Sequence, residues 1–143
     1  MTVGRVCVRE VDLAEPHEPV QVAAARMNDR NVGTLVVVGS QGEPIGIVTD
    51  RDLAIRVVAY ARDPLSTRVA EVMTQCPVSV HEDTPLEEAL REMRRGPFRR
   101  VPVVDSAGKL VGLLSLDDIL DLLAEEFGMI RELLSRESPS GLV

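Results

Sequence analysis

Two short stretches hold the side chains whose types and spacing could do chemistry. Gly46-Ile47-Val48-Thr49-Asp50-Arg51-Asp52 and Gly112-Leu113-Leu114-Ser115-Leu116-Asp117-Asp118 each carry an apolar run into a hydroxyl residue, with an aspartate three positions later. That spacing marks a capped helix start, in which hydroxyl and acid satisfy two otherwise unpaired backbone N–H groups. It also sets a carboxylate in the first helical turn beside a strand end. There the carboxylate can accept both hydroxyls of a ribose, while the side-chain hydroxyl and free helix N–H groups face phosphate. The two roles are compatible.

Other reactive side chains lack partners. His17 and His81 stand in turns with no second histidine or triad context, so both read as exposed turn residues. Asp117 and Asp118 are neighbours on a helix start, so their side chains diverge and cannot act as an acid–base pair. No nucleophile elbow, phosphate-binding glycine loop or metal-binding helix signature appears, and a metal would arrive only as a nucleotide's own magnesium. Cys7 and Cys76 lack zinc-site spacing and read as plain reduced thiols. The chain is not expected to be an enzyme.

The elements that position the two motifs are themselves duplicated. Gly112 lies 66 positions after Gly46, and the same offset carries Pro19 onto Pro85, Ala23 onto Ala89, Met27 onto Met93, Val37-Val38 onto Val103-Val104 and Gly42 onto Gly108. A gap-free offset over that span is an internal repeat. Arg62-Asp63-Pro64-Leu65-Ser66 reads as the linker, dividing the chain into repeat 1 over residues 1–66 and repeat 2 over 67–143, the latter with a C-terminal helical extension.

Within repeat 1, Val6-Cys7-Val8 and Val11-Asp12-Leu13 alternate as a half-buried leading strand. Val20, Ala23, Ala24 and Met27 fall at helical spacing, with Pro19 in the first turn and Gly33 suited to the left-handed C-terminal position. Leu35 to Val38 and Ile45 to Val48 form a hairpin, and a helix runs from Thr49 to about Ala61. Repeat 2 has a strand at Pro77 to Val80, and Thr84 as the N-cap of a helix with Leu86, Ala89, Leu90 and Met93 buried. A second hairpin joins Val101-Pro102-Val103-Val104 to Leu110 through Leu114, with Pro102 at a strand start or edge. From Ser115 a helix continues through Leu122, Leu123, Phe127, Ile130, Leu133 and Leu134, with Gly128 a point of kinking, before the frayed end at Ser138 to Val143.

Composition excludes several functions. The 143 residues are 45% apolar but only 2% aromatic without tryptophan, so the core is aliphatic and no aromatic platform for single-stranded nucleic acid exists. A net charge of −7 is the wrong sign for nucleic acid or anionic lipid, so any anionic ligand needs a local basic pocket. No run approaches the roughly 20 apolar residues of a membrane span, and the N-terminus lacks a signal pattern. The expected location is cytoplasmic, with no nucleic-acid or membrane partner.

Taken together, the duplicated Gly-x-x-Thr/Ser-x-x-Asp, the Val69-x-x-Val72-Met73-Thr74 wording, the Arg99-Arg100-Val101-Pro102-Val103-Val104-Asp105 strand and the hairpin before each motif resemble the CBS-domain pair, or Bateman module. The resemblance covers about Val11 to Glu126. It implies an α/β fold of two tandem β-α-β-β-α repeats packed with pseudo-two-fold symmetry, sheets covered by helices, and two clefts between the repeats. It also implies adenosine-containing ligands such as AMP, ADP, ATP or S-adenosylmethionine, with no cofactor required. Carried over, Asp52 and Asp118 hold ribose, and Thr49 and Ser115 lie near phosphate. Each motif would face the opposite repeat's leading strand: Asp118 the segment ending at Leu13 and Ala14, Asp52 that of Val78 and Val80. Arg99 and Arg100, beside Pro102, are placed with Asp118 as phosphate ligands, which makes that cleft the stronger phosphate site; repeat 1 has Gly33-Thr34 instead. Two modules of the family join through helices, so a homodimer regulating an unknown protein is expected. The alternatives are a ligand-independent dimerisation or scaffold module and an enzyme using nucleotide as cosubstrate.

Overall fold

The computed structural model describes residues 1–75, 78–96 and 98–137. Each motif terminates a β-hairpin, as the apolar runs require. In repeat 1, β2 (Thr34–Val38) pairs antiparallel with β3 (Pro44–Thr49), placing Thr34 opposite Thr49. In repeat 2, β6 (Arg100–Val104) and β7 (Leu110–Ser115) place Arg100 opposite Ser115. Even the irregularities repeat: both ladders shift register at a Val-Val step, Val37/Val38 and Val103/Val104. Gly42 and Gly108 supply the left-handed turn residue, with φ of 80° and 78°.

Short parallel strands complete each sheet, β1 (Leu13–Ala14) beside β2 and β5 (Val80–His81) beside β6. Helices α2 (Val20–Arg30) and α5 (Leu86–Arg95) bury Val20, Ala23 and Met27, and Ala89 and Met93. Ala24 is exposed and Leu90 is more than a third exposed, so the buried stripes are narrower than the periodicity indicates. Two aliphatic cores result, one under each hairpin.

The repeats are interlaced by their leading segments. The turn α1 (Val3–Val6) gives Val3 and Cys7 to the second core, and Val8 exchanges backbone hydrogen bonds with Leu113. Symmetrically, α4 (Val69–Val72) gives Val69 and Val72 to the first core, and β4 (Thr74–Gln75) pairs with β3. Val3 N–H donates to the carbonyl of Thr84 at 2.9 Å, as Val69 N–H does to that of Glu18 at 3.0 Å. These equivalent bonds at the repeat offset express the pseudo-two-fold arrangement.

Several local expectations are corrected. Val6 and Cys7 lie in and just after a helical turn rather than a strand, because that turn sets Val3 and Cys7 on one buried side. Helix α2 ends on Asn31, with φ of 54°, not on Gly33; asparagine tolerates this conformation. Pro19 and Pro85 occupy the N-cap positions, and Thr84 spends its backbone carbonyl on Val3 instead of capping with its hydroxyl. Strand β5 starts only at Val80; Pro77, Cys76 and the expected frayed end lie outside the described residues. The final helix, α6 (Leu116–Glu137), runs unbroken through Gly128.

Candidate functional site

Both motifs cap the helices they open. Helix α3 (Asp50–Leu53) starts on Thr49: the Asp52 N–H donates to Thr49 Oγ1 at 3.1 Å, and the Thr49 N–H donates to Asp52 Oδ2 at 3.0 Å. In the second copy the Asp118 N–H donates to Ser115 Oγ at 3.1 Å, while the serine hydroxyl itself donates to Asp118 Oδ2 at 2.6 Å. Each aspartate is thus fixed through one oxygen. The other oxygen accepts no hydrogen bond among the described residues, although Arg56 Nε stands 3.9 Å from Asp52 Oδ1. A fixed carboxylate with an uncommitted oxygen suits vicinal hydroxyls.

Each aspartate opens onto a cleft built from both repeats. The Asp52 cleft is lined by Ile47, Thr49 and Asp52 of repeat 1, together with Thr74, Gln75, Val78, Phe98, Arg99, Arg100, Val101 and Pro102 of repeat 2. Across the pseudo-two-fold, Arg100, Leu113, Ser115 and Asp118 face Val8, Glu10, Val11, Asp12, Val32, Gly33 and Thr34. Their cavity volumes are about 220 and 310 Å³, around the lower bound of small-molecule sites. The Asp118 cleft is the roomier, and the two differ further in their side chains.

The residues expected to act sort unevenly. Thr49, Asp52, Val78, Arg99, Arg100 and Pro102 converge on one cleft, whereas Ser115, Asp118 and Arg100 meet in the other. Of the arginine pair placed with Asp118, Arg100 does line that cleft and Arg99 does not. Arg100 is the ladder partner of Ser115, yet repeat packing sets the start of β6 against the Thr49–Asp52 motif, and Arg99 lines only that cleft of the two. The positions facing Asp118 are Gly33 and Thr34. Leu13 and Ala14 fall outside both clefts because β1 returns to its own repeat's sheet; Ala14 is buried in the first core and Leu13 opens on another face. Val80 is buried in the second core.

Sequence reasoning missed Glu10, Thr74, Gln75 and Phe98. Asp12 and Val11 fell only within a segment named as facing Asp118. These positions become neighbours of a motif through the crossing of the leading segments, a long-range pairing without local signal. Gly46 and Gly112 did carry one. A Cβ on Gly46 would lie 2.4 Å from Met73 Sδ and 3.0 Å from the Thr74 carbonyl; on Gly112, 2.7 Å from Cys7 Sγ and 3.0 Å from the Val8 carbonyl. The glycine of each motif makes room for the crossing chain.

The charges follow. Asp52 has Arg99 and Arg100 in its cleft and Arg56 behind it; Arg99 also pairs with exposed Asp117 at 3.3 Å. Asp118 shares its cleft with Glu10 and with Asp12, the latter paired with Arg30 at 2.8 Å. Burial pushes the Cys7 thiol pKa upward, which keeps it protonated and unreactive. His81 Nδ1 accepts the Asp83 N–H within a turn, and the backbone carbonyl of His17 accepts from Arg68 across the repeats; neither histidine lines a motif cleft. Among the described residues no group of three or more His, Cys, Asp or Glu side chains could hold a metal ion, and no helix is long and apolar enough to cross a membrane.

Comparison with known families matches the CBS domain twice, over residues 3–59 and 69–125. An uncharacterised protein of Methanopyrus kandleri is 37% identical over 85% of this chain, which spans 62% of that protein's length. The CBS domain-containing protein YhcV of Bacillus subtilis is 40% identical over 77% of this chain and 76% of its own. Among solved structures, the CBS domain pair of protein MJ0100, in complex with 5′-methylthioadenosine and S-adenosyl-L-methionine, superposes with a TM-score of 0.75 at 25% identity, covering 88% of this chain and 98% of that one. The chain belongs to the CBS-domain family, as a tandem pair of repeats.

Proposed function

We propose, from that membership, that the chain is a regulatory module that senses adenosine-containing small molecules in the two clefts and has no catalysis of its own. One observation carries this reading: the same hydroxyl–aspartate pair recurs at two helix starts, each bordering a cleft with aliphatic walls and an uncommitted carboxylate oxygen. In the Asp52 cleft the ribose hydroxyls donate to Asp52. The base lies among Ile47, Val78 and Pro102, and phosphate takes charge-assisted bonds from Arg99 or Arg100. AMP, ADP, ATP and S-adenosylmethionine all fit this description, and the complexed MJ0100 pair supports adenosyl ligands as a class. Ligand bridging both repeats favours one relative arrangement of them and so changes the surface offered to a regulated partner in the cytoplasm.

The side of α6 beyond the second core supports homodimerisation. Leu120, Phe127, Met129, Ile130, Leu133 and Leu134 are all more than half exposed, and a second copy related by a two-fold axis would cover them. A scaffold without ligand is the competing reading, favoured by the capping bonds both motifs make. Thermal shift with AMP, ADP, ATP, S-adenosylmethionine and NAD separates the two. A rise in melting temperature with an adenosyl compound supports sensing, and no rise with any of them at millimolar concentration favours the scaffold.

A further inference from the structure

The clefts have equivalent backbones, the Asp118 cleft being the roomier at about 310 against 220 Å³, and the charges they present are set by side chains. The positions that matter are related by the repeat offset. Where Arg99 and Arg100 face Asp52, Gly33 and Thr34 face Asp118; where neutral Val78 lines the first cleft, Asp12 lines the second. Glu10 adds a second carboxylate opposite Asp118 and makes no ion pair among the described residues. Arg100 lines both clefts, and Arg30 pairs with Asp12 at 2.8 Å, so Glu10 is the carboxylate opposite Asp118 without a partner among the described residues.

Resting on the adenosyl reading above, we infer that the two clefts take different chemical classes of ligand. The Asp52 cleft takes a phosphorylated adenine nucleotide, and the Asp118 cleft takes an uncharged or cationic adenosyl compound and disfavours phosphate. The physical reason is symmetric. A polyphosphate in the first cleft replaces its hydration with guanidinium hydrogen bonds. In the second it would be brought beside Glu10, whose carboxylate has no ion-pair partner among the described residues, and like-charge juxtaposition there costs affinity. A sulfonium or ammonium group reverses both signs. One chain therefore reads two ligand chemistries, and occupancy of the clefts reports their ratio.

Calorimetric titration at low ionic strength tests this, using ATP, adenosine and S-adenosylmethionine as probes. Asp118→Asn leaves the Asp52 cleft and should bind ATP about tenfold or more tighter than adenosine, the scale of one charge-assisted bond. Asp52→Asn leaves the Asp118 cleft and should bind adenosine and S-adenosylmethionine more tightly than ATP. Adding Glu10→Gln to Asp52→Asn should narrow that gap by strengthening ATP several-fold without moving adenosine. A crystal of the unmodified chain soaked with ATP and S-adenosylmethionine together gives a reading independent of any variant: ATP at Arg99, the sulfonium compound at Glu10. Equal ATP-to-adenosine ratios in the two single variants, or ATP in both clefts of the soaked crystal, overturn the division but leave adenosyl binding standing. If none of the three probes binds the unmodified chain, the functional reading itself fails.

Discussion

Repeat 1 and repeat 2 are one backbone carrying two surfaces. Ladder register, the bulge at the Val-Val step, the left-handed turn glycine and the crossing leading segments all recur at the same offset. What differs lies outside those backbone bonds: the residues at the start of the first strand of each hairpin, the residues behind the motif aspartate and the length of the helix after it. Duplication holds constant what the interlaced cores need, and it frees the clefts and the outer helix to diverge.

The largest difference is helical. After Leu53 the repeat 1 helix passes through a π-helical turn, Ala54–Val58, and stops at Ala61, whereas α6 runs on to Glu137. Truncation after Glu126 cuts repeat 2 back to the length of repeat 1. Light scattering should then show a dimer becoming a monomer, with ligand-induced thermal shifts retained; a full-length chain that is already monomeric at micromolar concentration refutes the dimer.

The next comparison tests sameness. Gly46→Ala and Gly112→Ala should each lower stability by about 1–3 kcal/mol, because the new methyl group presses on a crossing segment inside a packed interface. Denaturant titration should give the two a similar loss. A cost at one glycine alone would mean that only one crossing is tight.

Capping should be nearly symmetric too, at smaller magnitude. Thr49→Ala and Ser115→Ala each remove an N-cap acceptor, worth roughly 0.5–2 kcal/mol, with or without ligand. Melting curves of the ligand-free variants that match the parent would show that the hydroxyls serve the cleft and not the helix.

The smallest effect belongs to repeat 1 alone. A hydrogen bond from Arg26 holds the Glu18 carboxyl below its usual pKa, outweighing its partial burial. A depressed folded-state pKa gives stability that is fully present above about pH 4.5 and fades as pH falls through the lower folded value. Glu18→Gln should flatten that acid limb by about 1 kcal/mol or less, since the pair is partly solvated. An unchanged acid limb would assign the pair no role. The repeat 2 counterpart of Glu18 is Thr84, so this ion pair has no equivalent at the repeat offset.

Fold and site were unequally legible from the sequence. The hairpins, the main helices and the motif caps were readable because each rests on local periodicity and turn chemistry, as at Gly42 and Gly108. The crossing segments were not, since Val8 meets Leu113 and Thr74 meets Ile47 through long-range pairings only a residue or two long. The same gap misplaced Arg99: adjacency of Arg100 to Ser115 in one ladder was readable and Arg100 does line the Asp118 cleft, while the approach of that strand start to the other repeat's aspartate was not readable. Gly46 and Gly112 mark the repeat in the sequence; the close approach they permit appears only with the crossing segments, Met73-Thr74 and Cys7-Val8, in place.

Adenosine, being uncharged, is the probe that both clefts should accept, and its stoichiometry bears most directly on the claim that the motif aspartates are ribose ligands. Calorimetry or ligand-detected NMR should find two adenosine molecules per unmodified chain, one for Asp52→Asn, one for Asp118→Asn and none for the double variant, whose melting temperature without ligand stays close to the parent's. Two adenosine molecules still bound with unchanged affinity by the folded double variant would contradict the account.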